Sequence, residues 1–341
     1  MNENNSLEQN NNQAWLVWLR VIATIAVIIL HCCAAPLVNY DITDYVNWLL
    51  ALVLRNIVAV SVPLFFMMSG YLYLIKSEIN ISHFLRKRMM KIILPLLIWS
   101  YFWILYNNGF NLQLIGLHDV LLPFKQPAMY HLWFMYPLIG LYLALPLIHS
   151  CVRNLPIKSQ QYALYYWVLL VGLTDYFTRF FGFTFAIPAQ FITIWVGYFV
   201  AGYLITAYNF KPRLLISLCV AIITAMIFGT YWLTNQAQPA PSHMYELGTA
   251  HMMLLALGIF WLAHHYKDKF KQSRLIELLS DRSYVVYLVH PLFMMQTDKL
   301  LFGDIANLPI FYLPIMVCIT VVCSYGFAIL LRTLWLNKIF G

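Results

Sequence analysis

Ten long apolar runs dominate this sequence and limit the folds that it can adopt. Each run approaches the roughly 20 mainly apolar residues that a membrane-spanning helix needs. Strands of a transmembrane β-barrel would be only about ten residues long and would alternate in polarity. We therefore predict an all-α fold, a polytopic transmembrane helical bundle with about ten spans. The predicted spans are 14–37, 47–75, 89–107, 129–150, 161–177, 187–207, 212–234, 245–265, 283–302 and 308–336.

The composition supports a membrane protein and leaves no room for a second domain. Hydrophobic residues make up 62% of the 341 residues and charged residues only 10%. A soluble globular protein carries about 25% charged residues because its surface must be wetted. We predict a single transmembrane domain over 14–341, preceded by a polar, Asn-rich and disordered tail over 1–13.

The basic residues of the loops predict the orientation of the bundle. Cytoplasmic loops of membrane proteins carry an excess of Lys and Arg. With a cytoplasmic N-terminus, sixteen of the 21 basic residues fall in inside loops and three fall outside. Both termini are thus predicted to be cytoplasmic. Anionic lipid headgroups attract the basic residues at that face, so the net charge of +8 needs no nucleic-acid partner.

The six cysteines form no C-x-x-C pair, and most of them lie within apolar runs. Ligand spacings typical of zinc sites and the even spacings of a disulfide framework are both missing. The sequence therefore predicts neither a metal site nor a disulfide-stabilised fold.

Arg20 and His31 are the most informative polar residues inside a predicted span. They are eleven residues apart, which is three helical turns plus roughly 20°, so both point the same way from the first helix. The rise of the helix separates them by roughly 16 Å. Polar residues at this depth mark functional sites by default. Snorkelling of Arg20 to the headgroups and a satisfied core histidine at His31 are the alternatives.

Four segments in the same order resemble the acyltransferase 3 family of integral membrane acyltransferases. Arg20 and His31 match its Arg-x10-His signature, and the other three segments resemble its S-V-P-L-F-F…S-G-Y, H-L-W-F and S-x-x-S-Y…Y-x-x-H-P motifs. Those segments are Ser61–Tyr71, His131–Phe134 and Ser280–Pro291. The resemblance covers nearly the whole chain and is strongest to short, stand-alone O-acetyltransferases.

This resemblance implies an enzyme that transfers an acyl group, usually acetyl, from acyl-CoA to a hydroxyl of a cell-surface polysaccharide or lipid-linked sugar. No permanently bound cofactor is implied, since acetyl-CoA is a co-substrate. His31 would be the catalytic residue, acting either as general base or as covalent acyl carrier. Arg20 would assist it and contact CoA, together with Arg88 and Lys91 at the cytoplasmic mouth. Where the family often has Arg-x-x-Arg, this chain has Arg88 and Lys91, and lysine lacks the bidentate fork.

The acceptor is expected to bind in the outer half of the membrane. Arg55 lies within the second span, roughly 12 Å below its outer end, at about the depth of His31. His131 begins the fourth span on the outer side. The predicted acceptor-binding residues are Arg55, His131, Trp133, Tyr287 and His290.

Two other function classes fit a ten-span protein with scattered polar residues. One is a polysaccharide exporter or lipid-linked-sugar flippase without transferase activity. The other is a non-catalytic membrane partner of a glycan synthase. In each case the expected location is a bacterial cell membrane, with lipids and a glycan as partners. The sequence leaves the acceptor sugar and the oligomeric state open.

Overall fold

A computed structural model describes residues 13–39, 43–183, 193–236, 242–302 and 311–333. Within these ranges all regular elements are helical. The predicted tail over 1–13 lies outside the described residues except for Gln13. The α-helices are α1 Ala14–Cys32, α2 Ala34–Val38, α3 Tyr45–Val58, α4 Ser61–Leu74, α5 Ile81–Asn107, α6 Leu117–Lys125, α7 Met135–Asn154, α8 Ile157–Tyr166, α9 Gly172–Phe181, α10 Ile194–Leu204, α11 Pro212–Gln236, α12 Ala250–His265, α13 Arg274–Thr297 and α14 Tyr312–Thr333.

Six helical segments in the described ranges are long and apolar enough to cross a membrane. The other predicted spans are mostly helical where they are described: two correspond to the shorter apolar helices Ile194–Ala207 and Ala250–His265. The helical content of the prediction is confirmed, while the count of ten spans and the cytoplasmic termini stay predictions. The six segments are Ala14–Val38, Tyr45–Leu74, Ile81–Asn107, Tyr130–Asn154, Pro212–Gln236 and Tyr312–Thr333.

Local sequence explains where the helices of the second segment begin and break. Asp44 caps α3, since its carboxylate accepts hydrogen bonds from the amides of Val46 and Asn47 at 3.0 and 3.3 Å. The helix is interrupted between Val58 and Ser61. Pro63 lies two residues further on and has no amide hydrogen to donate to the carbonyl one turn earlier, which favours a break at this place.

Helices α4 and α10 pack at backbone contact through two glycines. A Cβ on Gly70 would overlap the carbonyl group of Phe199, and a Cβ on Gly202 would overlap the carbonyl group of Met67. Small residues allow such close approach between helices in lipid. Gly70 of the S-G-Y motif therefore serves the packing of α4 against α10.

Helices α1 and α13 lie side by side and run in the same direction. Near their amino ends the Trp18 indole donates a hydrogen bond to the Lys271 carbonyl at 2.9 Å. Near their carboxyl ends the rings of His31 and His290 stack, with centroids 5.2 Å apart. This parallel pair brings the first and ninth predicted spans together along the full depth of the bundle.

Candidate active site

Three cavities follow the α1–α13 pair from one end of the bundle to the other. The first, which we call the basic cavity, has a volume of about 810 Å³ and is lined by Arg20, Arg88 and Lys91 among others. The central cavity holds about 180 Å³ and is lined by both Arg20 and His31. The Asp298 cavity, of about 270 Å³, is lined by His31, Tyr130, Asp298 and Tyr312. Arg20 and His31 therefore each border two successive cavities.

The central cavity collects most of the residues that the sequence singles out. Arg20 and His31 line it together, as their spacing on α1 predicts. Val27, Val62, Phe65 and Leu138 supply apolar walls. The remaining polar and aromatic lining comes from the recognised segments and consists of Ser69, His131, Trp133, Phe134, Ser283, Tyr284 and Tyr287.

His31 is held by ring packing. Its imidazole lies 4.9 Å from the Tyr130 ring and 5.2 Å from the His290 ring, measured between centroids. Its side chain is only partly buried, whereas that of His290 is fully buried. Its ring nitrogens make no hydrogen bond to a described residue, so they remain available to a ligand in either adjoining cavity.

Pro291 explains how His290 is fixed behind His31. A proline inside a helix cannot donate to the carbonyl four residues earlier, which here is that of Tyr287. The freed carbonyl lies 2.8 Å from His290 Nδ1, and a carbonyl can only accept, so Nδ1 carries the proton. His290 Nε2 then presents a buried lone pair, which has no partner among the described residues.

His131 lies next to His290 and is also held by hydrogen bonds to α13. Its Nε2 donates to the Leu288 carbonyl at 3.2 Å, and the Tyr287 hydroxyl donates to its main-chain carbonyl. Its Nδ1 is buried without a partner in the described ranges. Its ring lies edge-on to the His290 ring at 5.5 Å. Helix α13 thus orients two histidines beside His31.

Arg20 links the basic and central cavities. Its Nη1 donates to Ser280 Oγ at 3.4 Å, a long contact that leaves most of the guanidinium donors free. The Thr24 hydroxyl donates to the Arg20 carbonyl at 2.8 Å, within the same helix. Arg20 is therefore directed toward α13 and into the cavities, and not toward lipid.

Arg55 lies close to His31 but does not line any of the three cavities. Its Nη1 donates to the carbonyl of Leu30 at 3.0 Å, and its guanidinium lies 4.7 Å from the centroid of the Tyr245 ring. These contacts hold the carboxyl end of α1. The acceptor-binding role given to Arg55 by the sequence stays a prediction, as do the roles of the other site residues.

Two arginines of the basic cavity escape the sequence analysis. Arg282 and Arg332 line it, although the count that predicts the orientation treats both as charges of the cytoplasmic loops. Arg282 is only 7% exposed, and its Nε and Nη2 atoms have no partner in the described part of the chain. The available signal is its place between Ser280 and Ser283 in a recognised segment.

Asp298 also escapes the sequence analysis. It is the one acidic residue of the predicted span 283–302, which is the signal that could have identified it. In the structure it follows α13 and accepts a hydrogen bond from the Tyr312 hydroxyl at 3.2 Å. The lining of its cavity is otherwise aromatic, thioether or small, as at Tyr130, Met295 and Ala35.

Comparison with known proteins identifies the class of protein that this fold and site define. The acyltransferase-domain family, acyltransferase 3, matches residues 13–329, so the chain belongs to that family. This confirms the resemblance carried by the sequence motifs. Together with the apolar helices, it makes the chain a multi-pass membrane protein of an acyltransferase family.

The chain is also similar to individual curated proteins. It is 25% identical over 302 residues to a protein named "Probable poly-beta-1,6-N-acetyl-D-glucosamine export protein" from Staphylococcus aureus strain MSSA476, covering 82% of this chain and 81% of the relative. The same name and values hold for strain MW2, and the protein of strain MRSA252 is 24% identical. No solved structure matches the chain.

Proposed function

We propose that this protein is an O-acyltransferase of a bacterial cell membrane. It moves an acyl group, acetyl by family expectation, from acyl-CoA to a hydroxyl of a cell-surface polysaccharide or lipid-linked sugar. The observation that carries the proposal is the position of His31 between two cavities, one of which leads through Arg20 to the basic cavity.

The basic cavity has the charge that a CoA site requires. Its described lining holds five basic residues and a single carboxylate, that of Asp281. An unpartnered, buried guanidinium such as that of Arg282 is costly unless an anion pairs with it. Arginine and lysine bind phosphate strongly, and the phosphates of CoA supply such anions. The five basic residues are Arg20, Arg88, Lys91, Arg282 and Arg332.

The spacing of Arg20 and His31 fits a donor that extends through the bundle. Eleven residues of α1 separate their Cα atoms by roughly 16 Å. A thioester at His31 with its phosphates beyond Arg20 therefore needs a long and thin connecting arm, which is the shape of pantetheine. The central cavity of about 180 Å³ would enclose that arm. In this orientation the basic cavity and both termini face the cytoplasm, where acyl-CoA is present.

The reaction at His31 follows from the free nitrogens of its ring. An acceptor hydroxyl oxygen attacks the thioester carbonyl carbon while His31 takes the hydroxyl proton. The new C–O bond forms, the C–S bond breaks, and the imidazolium returns the proton to the departing CoA thiolate. In the covalent variant, an imidazole nitrogen attacks first and CoA leaves as the thiol with the ring's N–H proton. The acceptor oxygen then displaces the acyl group from the ring, and the acceptor's hydroxyl proton returns to the imidazole.

Purified protein in lipid nanodiscs tests the proposal. The protein is incubated with radiolabelled acetyl-CoA and an oligosaccharide of β-1,6-linked N-acetylglucosamine, the glycan in the name of the Staphylococcus relatives. Labelled oligosaccharide should form with the wild type and with His118→Ala, whose side chain is 72% exposed in a peripheral segment. His31→Ala should insert into the membrane and form no labelled product. Undiminished transfer by His31→Ala would exclude the proposed chemistry.

An exporter is the second candidate, because the relatives carry that name. In liposomes, uptake of labelled oligosaccharide without any acetyl-CoA turnover would select it. The central cavity of about 180 Å³ favours the transferase, because a chain of several sugar residues needs more room than this cavity offers. Passage of a glycan chain would require the helices around this cavity to separate.

A further inference from the structure

We infer that the Asp298 cavity is the acceptor site and binds a hexosamine residue of a glycan. This inference rests on the proposed function and deepens it by assigning the acceptor to a cavity. The three steps of the argument are the position of the cavity relative to His31, the chemistry of its lining, and its charge.

The position of the Asp298 cavity suits a second substrate. It lies at the carboxyl ends of α1 and α13, whereas the basic cavity lies toward their amino ends. The two cavities share no lining residue, and the central cavity adjoins both, sharing Arg20 with the basic cavity and His31 with the Asp298 cavity. A hydroxyl bound here reaches His31 from a different cavity than the thioester does, so both substrates can be present at once.

The lining of the cavity matches the two kinds of surface on a sugar ring. The Asp298 carboxylate accepts hydrogen bonds only, and the Tyr312 hydroxyl uses just part of its capacity. Sugar hydroxyls and the amide N–H of an N-acetylhexosamine are donors that can use the rest. The rings of Tyr130 and Tyr312 and the Met295 side chain offer apolar surface to the C–H faces of the sugar.

The charge of the cavity lining favours the sugar over the phosphate-bearing donor. Asp298 is the one carboxylate among the described lining residues, and no arginine or lysine accompanies it there. A phosphate-bearing donor is therefore repelled from this end, while a neutral or amino sugar is accepted. The glycan named in the Staphylococcus relatives is a chain of N-acetylglucosamine, which has the amide N–H and hydroxyl donors required.

Direct binding measurements test this assignment without depending on turnover. Wild-type protein in nanodiscs is titrated calorimetrically with the β-1,6-linked N-acetylglucosamine oligosaccharide and, separately, with CoA. Asp298→Asn removes the negative charge of the side chain that would accept hydrogen bonds from the sugar, and Ala35→Trp fills the cavity. Glu277→Gln is the matched carboxylate control, because Glu277 lies on α13 outside this cavity.

The wild type and Glu277→Gln should bind the oligosaccharide equally well. Asp298→Asn should weaken its binding by about tenfold or more, as expected for loss of a hydrogen bond to a charged group. Ala35→Trp should abolish it. Both cavity variants should bind CoA like the wild type, which shows that they are folded. Equal oligosaccharide binding by all variants, or none by the wild type, would overturn the inference.

The same samples separate this inference from the proposed function. Acetyl transfer is measured on each of them with radiolabelled acetyl-CoA. Oligosaccharide binding that depends on Asp298, without any transfer by the wild type, would overturn the acyltransferase proposal and leave the Asp298 cavity as a glycan site. Transfer that depends on His31 but not on Asp298 would retain the enzyme and remove the acceptor site from this cavity.

Discussion

The rings of His31 and His290 stack on each other across α1 and α13, with centroids 5.2 Å apart and planes inclined by 28°. His290 in turn is held by the carbonyl of Tyr287, which is free because Pro291 has no amide hydrogen. The His-Pro dipeptide therefore acts on the site through a neighbour: the proline orients the histidine, and the histidine supports His31. We regard His290 and Pro291 as positioning residues.

Pro291→Ala should lower activity and raise stability at the same time. The new amide hydrogen competes with His290 Nδ1 for the Tyr287 carbonyl, so the ring that supports His31 is loosened. We expect kcat to fall by about fivefold, the effect of one hydrogen bond of about 1 kcal/mol. The thermal midpoint should rise because a helix-interior proline costs about 3 kcal/mol. Pro146→Ala, within α7, should raise the midpoint and leave kcat unchanged.

Arg282→Gln should raise the KM for acetyl-CoA by about tenfold or more, since hydrogen bonds to charged groups contribute about 1.5–3 kcal/mol. Arg86→Gln is the control, because Arg86 is exposed on α5 and does not line the basic cavity. The salt dependence of the KM should also become weaker in Arg282→Gln. A KM that is the same for both variants would remove Arg282 from the donor site.

Lys91→Arg should lower the KM for acetyl-CoA by a few fold. Arginine restores the planar fork that the family often has at this place, and the fork grips a phosphate bidentately. Lys87→Arg provides the comparison, since Lys87 is exposed and lies outside the lining of the basic cavity. Steady-state kinetics at fixed acceptor concentration measure the difference. Equal effects of the two substitutions would indicate a general charge effect at this surface.

Gly70→Ala should destabilise the protein by about 1–3 kcal/mol, the usual range for overpacking. The added methyl group overlaps the Phe199 carbonyl, and a backbone atom cannot move aside without shifting α10. Gly140→Ala, also in a helix, meets nothing within 4 Å and should be neutral or stabilising. Thermal unfolding in detergent measures both. A Gly70→Ala protein as stable as the wild type would contradict the close packing of α4 and α10.

The sequence predicts helices far better than it predicts the site. Hydrophobic run length locates the spans because a bilayer requires that length, and helical periodicity places Arg20 and His31 on one face of α1. The lining of the basic cavity cannot be predicted in this way. Arg282 and Arg332 come from two helices, and in the sequence each resembles the charge that ordinarily marks a cytoplasmic loop.

Arg55 and Asp298 show a second reason why the sequence alone does not give the site. Depth groups Arg55 with the predicted acceptor residues, and the contacts of its side chain with α1 and Tyr245 are ones that no periodicity in α3 reveals. Asp298 lies where α13 passes into a π-helical turn, Asp298–Phe302, and its partner Tyr312 is on another helix. Tertiary packing created both relationships.

The three cavities along α1 carry a consequence for the cell. A continuous water-filled channel across a membrane that carries ion gradients would let protons and ions leak and would dissipate those gradients. Here the smallest of the three cavities has aliphatic and aromatic walls at Val27, Val62 and Phe65, and the fixed positive charge of Arg20 lies where it adjoins the basic cavity. Hydrophobic constrictions and fixed cations are the devices by which pores exclude ions. Under the proposed function, the cavity that would enclose the pantetheine arm would therefore also restrict the passage of ions.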